Sequence, residues 1–207
     1  MSDHGKITIT AMKWAPPFAA GNVRDHRARW ILNEGGWPYE VRLVDAPTLL
    51  PVPAHGGARA QAIEVRRLRE LRAAGVCVPA VLRAAEDGIV LQFLGDRALV
   101  EQFKLDAATG LAAWRRGLEA IAGVHARGQY LSQAFGRNML AHDGRLWFID
   151  FEDDPLETLD LVQAQARDWL AYLHSSVWLL AAPRVALLEA WDAILRSMPA
   201  PVAQRLR

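Results

Sequence analysis

A single cysteine, Cys77, excludes an internal disulfide framework and suits a reducing cytoplasm; set between Val76 and Val78, it reads as a core residue. Charge of neither sign dominates. The 24 Lys and Arg face 23 Asp and Glu, and a net charge of +1 gives no global attraction to nucleic acid or to an anionic membrane. Basic residues are not interleaved with aromatics in the way a nucleic-acid surface requires. The opening residues Met1 to Lys6 lack a positive n-region followed by an apolar run, so no secretory signal is expected. The longest apolar tract, Trp169 to Trp191, is interrupted by His174, Pro183, Arg184 and Glu189, each costly in a bilayer core, and no transmembrane segment is expected. No His and Cys spacing suggests zinc. Gly21 and the Gly35–Gly36 pair do not form G-x-G-x-x-G, which leaves any phosphate cradle unassigned. These absences predict a soluble cytoplasmic protein whose partners must be argued from sites.

What is present is a chain of 207 residues, 52% hydrophobic with mean hydropathy +0.02, enough for one sizeable core or two small ones joined by a hinge. Ile7 to Thr10 opens a strand over Lys6 to Met12, Asn22 can cap a helix over Val23 to Asn33 that stops at Gly35–Gly36, and Tyr39 to Val44 reads as a second strand, giving β-α-β. Asp45 to Gly57, with Pro47, Pro51 and Pro53, reads as a linker or ordered loop. Ala58 to Ala74 is predicted as a helix with Ala62, Val65, Leu68 and Leu71 inward and Arg66, Arg67, Arg69 and Arg72 outward. Strands over Ala80 to Ala84 and Ile89 to Phe93 flank a turn at Glu86 to Gly88. Helices follow over Ala107 to Ala126, Leu159 to Leu180 and Arg184 to Ser197, and Leu146 to Asp150 is a short strand ending in an acid. Trp169, Tyr172 and Trp178 recur at near-helical spacing and are expected in the core, whereas Glu152, Asp153, Asp154 and Glu157 read as a solvated acidic loop.

The stretch from His125 to Asp168 carries the chemistry. His125-Ala-Arg-Gly128 ends a helix, Gln129-Tyr130-Leu131-Ser132-Gln133 follows, then Asn138-Met139-Leu140, then Phe148-Ile149-Asp150-Phe151-Glu152. This order resembles the catalytic core of protein-kinase-like folds, where a catalytic loop with an asparagine, a hairpin and Asp-Phe-Gly follow one another. More specifically, it resembles an atypical bacterial group related to the lipopolysaccharide Kdo kinases and to the kinase of the KEOPS complex, over about residues 47–207. The resemblance implies an α+β, two-lobed fold with a reduced or atypical amino-terminal lobe over 1–95 and a mostly helical lobe over 96–207, with a hinge near Gly95–Asp96. It implies ATP and magnesium as cofactors, Asn138 and Asp150 as the metal ligands, and Glu152 in place of the glycine. It also implies Glu64 on the helix that orients the strand lysine, Lys13 as that lysine, and Asp168 as a buried brace of the catalytic loop. His125 reads as a core or capping histidine bonded to backbone. The position of the catalytic aspartate is Gln133, which cannot act as a general base. The implied activity is therefore a weak phosphotransferase or a pseudokinase, with a sugar, lipid or protein phosphoacceptor.

Residues 7–45 resemble the opening β-α-β of glutathione-transferase-like proteins, in Ala11 to Phe18, Val23 to Trp30 and Asn33 to Val41. In that reading Val78–Pro79 imitates the Val-cis-Pro dipeptide that recognises the glutathione backbone. A glutathione-transferase-like enzyme and a non-catalytic interaction module on a kinase scaffold are the two alternatives to the nucleotide-binding reading.

Overall fold

The computed structural model describes residues 7–12, 39–44, 58–85, 88–95 and 97–206. The chain divides into two compact units, Met1–Ala54 and His55–Arg207. In the first, strands β1 (Ile7–Met12) and β2 (Tyr39–Val44) pair in parallel, in register from Ile7 opposite Tyr39 to Met12 opposite Val44. Parallel pairing is what a β-α-β reading requires. Lys13, the helix expected over Val23 to Asn33 and the proline-rich stretch 45–57 lie outside the described residues.

The second unit mixes helix and strand. Helix α1 (Ala58–Ala73) leads into an antiparallel hairpin, β3 (Val81–Ala85) with β4 (Gly88–Leu91). A short helix α2 (Leu99–Gln102) precedes the long helix α3 (Ala107–His125), whose amino end is capped by Asp106 accepting from Ala108 and Thr109 amides, both at 2.9 Å. A second hairpin, β5 (Met139–His142) with β6 (Arg145–Phe148), is turned by Asp143–Gly144, both in the left-handed region. Helix α4 (Leu161–Ser176) starts with a capping box in which Asp160 and Gln163 each bond the other's backbone amide. Helices α5 (Arg184–Ser197) and α6 (Ala200–Arg205) close the unit.

One hydrophobic cluster joins these elements, from Leu68 and Leu71 on α1 through Trp114, Leu118 and Ile121 on α3 to Tyr172 on α4 and Val202 on α6. The β5–β6 hairpin is bonded to the chain on both edges. Phe148 N–H donates to Cys77 carbonyl at 3.0 Å, and Ala141 N–H donates to Arg97 carbonyl at 3.0 Å. The hairpin ends are thereby fixed against the core, and they carry the residues of the candidate site.

Three side chains lie otherwise than the sequence predicts. Trp178 is 71% exposed, because α4 stops at Ser176 and a 3-10 turn over Val177–Leu179 directs the indole outward. Ala62 is exposed on α1, in an apolar groove shared with Ala84 and Ala85. Arg67 is buried, at 2% exposure. Its two terminal nitrogens bond the Tyr130 carbonyl and Glu70 and its plane covers the Tyr130 ring, while its buried Nε has no hydrogen-bond partner.

Candidate functional site

The site begins where α3 ends. Gly128, at φ +68°, stops the helix: its amide bonds the His125 carbonyl at 2.9 Å, and the Gln129 amide bonds the Val124 carbonyl at 3.3 Å. The spacing of His125 and Gly128 is thus the signature of a left-handed helix stop that delivers the chain to the next loop. Gln165 of α4 donates to the carbonyls of Gln129 at 2.9 Å and His125 at 3.4 Å.

Asp168 of α4 is fully buried and holds two parts of this loop with one oxygen. Its Oδ2 accepts from the Leu131 amide at 2.7 Å and lies 2.9 Å from His125 Nε2. With the carboxylate ionised, the imidazole donates through Nε2. His125 was expected to bond backbone; its partner is this carboxylate, and the ring also packs edge-on to Trp169 at 5.2 Å. A buried acid needs such donors, since each unpaired charge would cost several kcal/mol.

Beyond Leu131 the backbone tightens. Ser132 is buried at φ +66°, within a three-residue turn closed by the Gln133 amide on the Leu131 carbonyl at 2.7 Å. The Phe135 amide bonds the Gln133 carbonyl at 2.7 Å, and a 3-10 turn over Gly136–Asn138 enters β5. Asn138 is buried, and its side-chain nitrogen donates to the Gln133 carbonyl at 3.2 Å and to Asp150 Oδ2 at 2.9 Å. The hairpin register, Met139 opposite Phe148, brings Asn138 beside Ile149, whose amide bonds the Asn138 carbonyl at 3.0 Å. Asp150 itself has φ +74°. Left-handed non-glycine residues cost about 1–3 kcal/mol and gather at functional sites; Ser132 and Asp150 are such residues on either side of Asn138.

Helix α1 adds a third carboxylate. Glu64 is held above the usual carboxylate range, first by burial, then by the charge of Asp150 and, more weakly, that of Glu152, against the opposing effect of the Phe151 N–H that faces it. Glu64 thus lies near enough to Asp150 to feel its charge, Asn138 bonds Asp150, and Gln133 joins this pair through its backbone carbonyl. The oxygens they offer, two carboxylates and an amide, are hard donors. Both bonds of the Asn138 amide use its nitrogen, which leaves its oxygen as the donor toward a cation. Among the described residues, no three His, Cys, Asp or Glu converge on a metal position.

Within the acidic run Glu152 and Glu157 are exposed and Asp153 is half-exposed, as a solvated loop would have them, but Asp154 is not. Asp154 is buried, accepts from the Tyr130 hydroxyl at 2.6 Å and from the Leu156 amide at 3.0 Å, and pairs with Arg66. Asp153 pairs with Arg167 at 2.6 Å, and Glu157 with Arg59 at 2.7 Å. Arg67 donates to the Tyr130 carbonyl at 2.9 Å, stands 3.7 Å over its ring and pairs with Glu70. Sequence reasoning missed this network, yet a signal existed. Glu64, Arg67, Leu68 and Leu71 follow the i, i+3, i+4, i+7 pattern, so two charged residues sit on the stripe that should be apolar.

The Val78–Pro79 peptide is trans, because no cis bond occurs among the described residues, so the pair does not reproduce the Val-cis-Pro dipeptide of glutathione transferases. No helix among the described residues is long and apolar enough to cross a membrane. Compared with protein-family models and with curated proteins, the chain gives no match.

Proposed function

We propose that His55–Arg207 is the kinase-like scaffold of a protein that binds ATP with magnesium and acts as a weak phosphotransferase or pseudokinase. The observation that carries this reading is the Asn138 to Asp150 bond of 2.9 Å, made across the foot of the β5–β6 hairpin with Glu64 facing the next backbone amide. Phosphoryl transfer asks for oxygen ligands fixed on adjacent rigid loops. Asn138 is fixed by the Gln133 carbonyl and Asp150 by Asn138, so the pair is oriented before any ligand arrives.

Magnesium suits this donor set, since it binds through one or two carboxylates and completes its shell with phosphate oxygens and water. When bound, it would neutralise charge on the phosphates. Gln133 contributes a carbonyl to the loop, and its side-chain amide has no basic group to take an acceptor proton. The expected activity is accordingly feeble or absent, with binding as the main property.

A thermal-shift titration with ATP, with and without magnesium, tests the reading. A ligand at about 100 times its Kd stabilises by about 2.7 kcal/mol, a rise of roughly 5–10 °C for a chain of this size. The expected outcome is a magnesium-dependent rise that Asp150→Ala abolishes. An Asp150→Ala protein that is folded and responds like the parent would overturn the metal assignment.

A further inference from the structure

The arginine-rich helix α1 is bolted to the loop that follows α3 by a mostly buried polar network, and the nucleotide-binding reading does not require it. Arg67, 2% exposed, donates to the Tyr130 carbonyl and stacks on the Tyr130 ring. The Tyr130 hydroxyl donates to Asp154, and Arg66 reaches the other oxygen of the same carboxylate. Asp154 in turn caps the 3-10 turn Pro155–Glu157 through the Leu156 amide. Three separate segments meet on one tyrosine: α1, the loop 129–138 and the acidic stretch that follows Asp150.

We propose that Tyr130 and Arg67 are positioning residues: with Asp154 and Arg66 they form a ligand-independent clamp that holds α1, and Glu64 with it, beside the segment around buried Phe151. Glu64 lies one helical turn before Arg67, so a rotation or withdrawal of α1 that moved Glu64 would also break the Arg67 to Tyr130 contacts. The clamp links the helix both to the residue preceding Leu131, which Asp168 holds, and to the segment four residues past Asp150. Geometry on both sides of the Asn138–Asp150 pair is thereby coupled to one buried contact. Such a helix is fixed in place without a partner protein or a modification, and the pair is assembled in the free protein. The consequence for nucleotide rests on the function proposed above; the clamp itself does not.

The test is residue-resolved hydrogen exchange on the ligand-free full chain, comparing the Phe151 amide with core amides of α3 such as Leu118 and Ile121. Tyr130→Phe keeps the ring and the carbonyl and removes only the bond to Asp154. Protection at Phe151 is expected to fall about tenfold, the factor for losing one hydrogen bond to a charged group, while Leu118 and Ile121 change much less. Arg66→Met, which removes the other side-chain partner of Asp154 from a half-exposed position, is expected to act in the same selective way, and Arg66→Lys to recover part of the loss. A Phe151 amide that keeps its protection, or loses it only in step with Ile121, would sink the proposal. Nucleotide binding is scored separately in the same variants. If the parent gives no magnesium-dependent shift, the functional reading fails, and the exchange pattern still decides the clamp.

Discussion

At the scale of single residues, Glu64 and Asp154 pull stability in opposite directions, and the pH dependence of each follows from its surroundings. For Asp154 burial alone would raise the pKa, but the Tyr130 hydroxyl, Arg66 and the Leu156 amide outweigh it, and the group is held below its ordinary value. An acid with a depressed folded pKa contributes stability above its unfolded value of about 3.9, and that contribution is lost as pH falls through the folded pKa. Asp154→Asn should therefore lower Tm at pH 7, and the difference from the parent should shrink below about pH 4. Glu64 is raised by burial and by the neighbouring Asp150 and Glu152, so its charged form opposes folding above about pH 4.3. Glu64→Gln should raise Tm of the ligand-free protein at pH 7 and leave it unchanged where both forms are protonated. Thermal melts of both variants across pH 3–8 check the pair of signs, and a Glu64→Gln protein that melts lower than the parent at pH 7 would show the carboxylate to be compensated. A group kept at a cost to stability is what a binding site requires, which is why the sign at Glu64 bears on function.

At the scale of elements, helix α3 meets helix α4 through an absent side chain. A Cβ at Gly117 would stand 2.0 Å from the Tyr172 hydroxyl oxygen, which donates to the Trp114 carbonyl at 2.9 Å. Tyr172 is fully buried, stacks on Trp114 with centroids 6.4 Å apart and lies edge-on to Phe103, so it has no free direction in which to retreat. Gly117→Ala should cost about 3 kcal/mol through overpacking and the displaced hydroxyl, lowering Tm by roughly 6–12 °C, which calorimetry would show. Much of α1, α3 and α5 was legible because helical periodicity is local, and Gly128 stops α3 where the sequence reading ended it, whereas α4, expected over Leu159 to Leu180, runs over Leu161–Ser176. Asn138 and Asp150 were named through the resemblance alone; the bond between them follows from the β5–β6 hairpin that separates them, which brings its two feet together. The contacts of Arg67, Tyr130 and Asp154 were not legible. Arg67 and Tyr130 are 63 residues apart, and polar partnering over such a distance leaves no period in the chain. The same holds for the short helix α2 and for Trp178, whose exposure depends on where α4 stops.

At the scale of the whole molecule, the core supplies a test of how the chain is organised. Every described member of the hydrophobic cluster lies between Leu68 and Val202, within the unit His55–Arg207, and it joins α1 to both hairpins and to the carboxy-terminal helices. Leu68 and Leu71 share that cluster with Leu118, Ile121 and Tyr172, so α1 cannot leave without opening a cavity among large side chains. A unit that holds its own continuous core is expected to unfold as one cooperative step. A fragment spanning 55–207 should therefore be folded and give a single thermal transition, with near-ultraviolet dichroism from the buried Trp114 and Trp169 disappearing together with the helical signal. The Asn138–Asp150 pair, Glu64 and the Arg67–Tyr130–Asp154 network all lie inside this fragment, so selective exchange protection at Phe151 should survive in it as well. A fragment that loses its fixed tertiary signal while keeping helix would overturn the reading of His55–Arg207 as a unit that folds on its own core.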